Sequence, residues 1–101
     1  MNQFGERIKQ LREQKNLLQR QIAHQISIDT PMLSKIERGE RRAKKEQIGI
    51  FANIFSVKVN ELLSLWLADQ VYEVLKDEGM ALKAIQVAEE EIKYQSKRKS
   101  K

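Results

Sequence analysis

Between Arg38 and Lys45 the chain carries Arg38, Arg41, Arg42, Lys44 and Lys45 within eight positions, with Glu40 as the only acid. Guanidinium and ammonium groups at that density suit phosphate, and contacts of this kind supply affinity without reading sequence. Just upstream lies Thr30-Pro31-Met32-Leu33-Ser34-Lys35-Ile36. With Leu33 and Ile36 turned inward on a helical wheel, Pro31, Ser34, Lys35 and Arg38 face outward, flanked by Thr30 and Met32. One face of a short helix thus offers a hydroxyl, an ammonium and a guanidinium beside the basic loop. Other chemistries are poorly supplied. There is no cysteine, so disulfides and thiolate-bound zinc are excluded, and the single His24 cannot build a histidine metal site or a catalytic pair. No phosphate-cradling glycine loop is visible. The chain is read as a non-enzyme with no metal site and no cofactor, and His24 as a surface residue.

These groups need elements to hold them. Phe4, Ile8 and Leu11 recur at helical spacing and predict a first helix over about 2–15, with Asn16 as a left-handed terminator. Ile22, Ala23 and Ile26 predict a second helix over about 19–26, and Asp29 caps a third over about 30–38 that Gly39 ends. Two short helices that close must cross steeply and leave the second projecting, a shape that fits the major groove of DNA. Ile48, Phe51, Ala52 and Phe55 mark a fourth helix over about 45–55. A fifth starts near Val59 and continues to about Glu78, with Leu62, Leu63, Leu65, Trp66 and Leu67 covering nearly its whole circumference. A helix apolar all round needs cover on every side, and the small domain covers one. Gly79 breaks the chain, and Ala81, Leu82, Ile85, Ala88 and Ile92 stripe a last helix over about 80–95. Residues 96–101 are too polar to pack and are expected to be disordered.

The stretch 17–39, LLQRQIAHQISIDTPMLSKIERG, resembles the Cro and lambda-repressor family of helix-turn-helix domains. Gln19 and Ala23, Ile28, Ser34, Ile36 and Glu37-Arg38-Gly39 match its motif. Ile48, Ala52, Phe55, Val57, Leu62 and Leu63 stand where the family places its fourth- and fifth-helix apolar residues. The resemblance covers about two-thirds of the chain, Phe4 to roughly Trp66. Three positions depart: Leu18 where Ser or Thr caps the second helix, at a cost of roughly 0.5–2 kcal/mol; Ser27 where the turn often has Gly; and Ala43 where Pro is common. The resemblance implies an all-α, five-helix DNA-binding domain, here with an extended fifth helix and an additional C-terminal one. It implies that Thr30, Pro31, Ser34 and Lys35 read base edges, that Gln19 contacts a phosphate and braces the reading helix, and that double-stranded DNA is the partner. Lys35 would donate to guanine O6 or N7, Ser34 to several bases, and Thr30 or Pro31 would meet a thymine methyl. Glu37, an acid where DNA is expected, is structural: it pairs with Arg12 or Arg38, or caps a backbone group.

Charge divides the chain in three. Residues 1–66 hold 12 basic and 7 acidic residues, 67–91 hold 2 and 7, and 92–101 hold 5 and none. The basic front is what a phosphate-binding surface requires. The expected organisation is a DNA-binding domain over 1–66, a helical extension over 67–95 for dimerisation, and the basic tail 96–101. One helix-turn-helix makes few contacts, and two copies on a two-fold axis read half-sites about 34–36 Å apart. The expected dimer interface is Leu65, Trp66, Val71, Tyr72, Ile85 and Ile92. No secretory or membrane-spanning stretch is present. The reading is a cytoplasmic regulator, bacterial or phage-encoded, binding a palindromic operator as a homodimer, with controllers of restriction–modification genes slightly favoured over stand-alone repressors. The alternative is an antitoxin-type module that neutralises a partner protein and regulates its own operon.

Overall fold

The computed structural model describes residues 1–99. Six helices follow one another: α1 (Gln3–Gln14), α2 (Gln19–Gln25), α3 (Thr30–Glu37), α4 (Lys45–Phe55), α5 (Val59–Leu75) and α6 (Ala81–Lys99), and no strand occurs among the described residues. The boundaries follow local chemistry. Asn2 caps α1 by accepting from the Gly5 N–H, and Asp29 caps α3 by accepting from the Met32 N–H at 2.8 Å. Leu18 brings no side-chain acceptor to α2. In partial compensation the Gln21 side chain turns back to accept from the Leu18 N–H at 2.7 Å. Asn16, Ser27 and Ser56 all take positive φ, near 55–59°. Ser27 therefore makes the left-handed turn for which glycine is usual.

The core is one cluster. Phe51 sits edge-on to Phe4 with ring centroids 5.7 Å apart and stacks on Phe55 at 6.4 Å. Ile8, Ile22, Leu33, Ile48 and Leu62 are wholly buried around them. α1 packs on α3, α4 and α5, α2 on α3, and α4 on α5, whereas α6 is not among these packed pairs. The Cα radius of gyration is 16.0 Å, against about 13 Å for a compact chain of this length.

Two glycines are required by contacts. A Cβ on Gly5 would lie 2.4 Å from the Ile36 carbonyl oxygen, so α1 crosses α3 at backbone distance. Gly39 takes φ 77°, and a Cβ there would lie 2.7 Å from Asn2 Cγ. Gly39→Ala is expected to lower stability by about 1–2 kcal/mol, visible as a lower urea midpoint with an unchanged slope.

Three expectations bear on this geometry. α5 runs unbroken through 66–67, as expected of a fifth helix reaching about Glu78, and the turn to α6 follows Leu75. Asp69 ties the two sides together: its carboxylate accepts from the Gln3 and Phe4 N–H groups at 2.9 and 3.0 Å, capping α1 from α5. Leu65 and Trp66 pack against the domain's own core, and the Trp66 indole N–H donates to the Ala43 carbonyl at 2.8 Å. Both are half-buried there, so only part of each side chain is open to a second copy. Finally, α6 continues through 96–99, where disorder was expected. Lys and Arg are good helix formers, extending an existing helix costs little, and Arg98 lies over the Tyr94 ring at 5.9 Å. Residues 100 and 101 of that tail lie outside the described residues.

Candidate nucleic-acid interface

α3 buries one side and leaves the other open. Leu33 and Ile36 are buried, Met32 packs at the core's edge, and Thr30, Pro31 and Lys35 are exposed with Ser34 half-buried. Pro31 sits in the first turn, where its missing N–H is harmless. All four expected base-reading residues thus share one accessible surface.

Behind that surface lies a buried polar brace. Glu37 is 4% exposed. Arg12 grips it with two bonds, Nε to Oε2 at 2.7 Å and Nη2 to Oε1 at 3.0 Å, and its Nη1 donates to the Leu17 carbonyl at 3.0 Å. The Gln19 amide donates to Glu37 Oε1 at 3.0 Å. One carboxylate on α3 therefore ties α1 and α2 to the reading helix. Of the alternatives open for Glu37, the pairing is with Arg12. The hydrogen bonds it donates to Glu37 hold the Arg12 guanidinium above its ordinary pKa, against the opposing effect of burial. Among the described residues no buried side-chain nitrogen or oxygen lacks a partner. Gln19 is where bracing demands, at the first position of α2, but its amide nitrogen is engaged inward.

The basic loop divides. Lys44 and Lys45 are exposed at the start of α4, where Gln47 accepts from the Lys44 N–H at 2.8 Å. Arg38, the C-cap of α3, is ion-paired to Glu40 and donates to the Ser34 hydroxyl. Its hydrogen bond to Glu40 raises the Arg38 pKa and lowers that of Glu40. Arg41 and Arg42 line a groove of about 430 Å³ together with Met1, Trp66, Asp69 and Glu73. Glu73 is held below the usual carboxylate range mainly by its bond from Lys76, with smaller help from the N-terminal ammonium and Arg42. These two arginines thus border acids of α5, a neighbourhood the sequence does not announce.

Sequence reasoning missed Asn2, Gly5 and Asp69. Asn2 joins the two ends of the site: its amide donates to the Glu37 carbonyl at 2.8 Å while its oxygen caps α1. A cap offer, S/T/D/N before a periodic run, was readable at Asn2; no local signal marks Gly5 or Asp69.

The remaining expected interface residues cluster elsewhere. Val71, Val74 and Leu75 of α5 and Ile85, Ala88 and Ile92 of α6 face one another across an apolar groove of about 610 Å³. Tyr72 is exposed on α5. Among the described residues no helix is long and apolar enough to cross a membrane, and no cluster of metal-ligating side chains is present.

Comparison with known proteins agrees with this geometry. A family model described as helix-turn-helix matches residues 8–62. The HTH-type transcriptional activator BcrR of Enterococcus faecalis is 39% identical over 62 residues, which make up 61% of this chain and 30% of that protein. The chain thus spans under a third of the curated relative it matches. The matched residues run from the first core isoleucine, Ile8, to the buried Leu62 of α5, enclosing the brace and the reading face. The chain belongs to the helix-turn-helix family, of the Cro and lambda-repressor type.

Proposed function

We propose that this chain regulates transcription by binding a palindromic operator as a homodimer. α3 enters the major groove, with Thr30, Pro31, Ser34 and Lys35 at base edges. Lys44 and Lys45 meet the flanking phosphates, with Arg41 and Arg42 as lesser contributors because they border Asp69 and Glu73. The observation carrying the reading is the exposed face of α3 held rigidly from behind by the Arg12–Glu37–Gln19 bonds. Similarity to a protein named as a transcriptional activator supports a regulatory role. Whether binding activates or represses depends on where the operator lies relative to the promoter. The reading extends to restriction–modification genes as one class of target.

Selection of bound sites from random duplexes, followed by footprinting, tests this. The expected result is an inverted repeat with half-sites about 34–36 Å apart. Failure to enrich any motif at low salt overturns the proposal. Within the selected site, Lys35→Ala should flatten preference at one base pair. Lys44→Ala should weaken all sequences alike and reduce the slope of log K against log salt by about 1. Identical behaviour of the two variants would refute the division into reading and anchoring residues.

The α5–α6 groove supports the dimer. Val71, Val74, Ile85 and Ile92 are 44–74% exposed, and an apolar surface of that kind calls for cover. In this reading a second copy supplies it. Light scattering at micromolar concentration should give twice the chain mass; a monomer there defeats this part of the proposal. The same groove favours a second reading, a protein-binding antitoxin, whose mark is a stoichiometric foreign partner that co-purifies with the full chain.

A further inference from the structure

We infer that Arg38 and Glu40 act as positioning residues that make Ser34 a hydrogen-bond donor, so that Ser34 selects a base edge presenting an acceptor. The inference rests on the reading of α3 as the helix that enters the major groove.

A free serine hydroxyl is an ambiguous reader, because it donates one proton and accepts through two lone pairs. It can satisfy the amino group of cytosine or adenine as readily as purine N7, guanine O6 or thymine O4. Ser34 is not free in this sense. Arg38, one helical turn on, donates from Nη1 to Ser34 Oγ, while Nε of the same guanidinium donates to the Glu40 carboxylate. A guanidinium is planar with its donors in a fixed fork, so anchoring Nε on Glu40 restricts where Nη1 points. One of the two Ser34 lone pairs is thereby taken by a donor, so accepting from a base competes with Arg38 while donating to one does not.

The usual sink for that proton is a carbonyl of the serine's own helix. Ser64 on α5 shows it, donating to the Glu61 carbonyl at 2.9 Å. Ser34 makes no such bond among the described residues, so its proton is available to a ligand on the exposed side of α3. The acid is equally telling. Glu40 is the sole acid in the Arg38–Lys45 stretch, where a negative charge weakens attraction to phosphate. The Arg38 and Glu40 side chains are each 54% exposed, and a pair that open to water contributes little to stability. Orientation of Arg38 is a role that both facts allow. It also moves Arg38 from the phosphate-binding set, where its sequence position put it, to the support of a reader.

The experiment measures binding of the full-length wild type, Ser34→Ala, Glu40→Ala and the double variant. The probes are the selected operator and duplexes carrying each of the four base pairs at every half-site position. Wild type should disfavour cytosine, the one base edge without a major-groove acceptor, at one position by about tenfold. Ser34→Ala should reduce that preference to within about twofold. Glu40→Ala should flatten the same position and no other, while thermal melting stays unchanged and overall affinity rises from the removed acid. The double variant should be no flatter there than Ser34→Ala. A Glu40→Ala protein that shifts all duplexes by one common factor, or alters a different position, overturns the inference. If wild type keeps a preference at the Lys35 position while the Ser34 position is indifferent, this inference alone falls. Wild type with no preference anywhere overturns the operator reading and this inference with it.

Discussion

Arg12→Ala is expected to leave much of the population unfolded at ambient temperature, with a loss of about 3–5 kcal/mol. The substitution strands the Glu37 carboxylate, whose side chain is 2% exposed, without its cation. It also removes the donor to the Leu17 carbonyl at the end of the α1–α2 link. Only Gln19 would remain on the buried carboxylate, and one neutral amide does not replace a two-pronged guanidinium. Domains have only about 5–15 kcal/mol in hand, and one this small lies low in that range. Replacing both partners, Arg12→Met with Glu37→Met, should recover most of the loss, because the charge and its desolvation leave together. Urea titrations followed by far-UV circular dichroism compare the two. A single variant that loses under about 1 kcal/mol, on that scale, would show that the pair is not the brace described here. The double variant carries a further expectation. It should fold yet bind DNA less selectively, since Gln19 would have lost its acceptor and α2 its tie to the reading helix.

Ile85→Asp is the second large effect, and it acts on binding rather than folding. Ile85 lies in the α5–α6 groove, is 44% exposed, and is absent from the core cluster. A carboxylate there should leave the helix-turn-helix unit intact while opposing cover by a second copy. In the dimer reading, linking two half-site contacts multiplies affinity by about 10²–10⁴. The variant should therefore sediment as a monomer at micromolar concentration and lose operator affinity by that factor. Its residual binding should resemble that of wild type to one half-site. Val74→Asp, on the facing helix, should do the same. Variants that remain dimeric and bind as wild type would remove the groove from the argument and direct attention to other exposed apolar residues such as Ile50 and Leu67.

How far the sequence speaks can be judged from individual residues. Both ends of α3 were legible because Asp29 and Gly39 act on their own neighbours, and a capped N–H or a positive φ is a local event. The inward positions of Leu33, Ile36, Ile48 and Phe55 were legible because 3.6-residue periodicity survives any arrangement that has one core. Trp66 misled for a physical reason. It reads as surplus apolar surface on an over-apolar helix, yet the indole carries a donor, and only the folded chain reveals the Ala43 carbonyl that receives it. Asp69 is the limiting case. In sequence it is one acid among the seven of residues 67–91; in space it caps a helix that begins at the other end of the domain. The tail misled because composition was weighed without asking what precedes it. A basic segment attached to a formed helix extends it at little cost, whereas the same residues alone would not nucleate one. On α3 the outward side was legible and the wiring was not. Nothing in the spacing of Ser34, Arg38 and Glu40 says which of them donates to which.

The carboxylate that Asp69 lends to the first turn of α1 imposes an order on synthesis. Gln3 and Phe4 are made well before their cap, which is specified 66 and 65 positions later. At a ribosomal pace of about 5–20 residues per second, that is roughly 3–13 s during which the opening turn has no long-range anchor. A nascent chain halted before Asp69 clears the exit tunnel would carry every side chain proposed to read bases and still lack the latch that closes the domain.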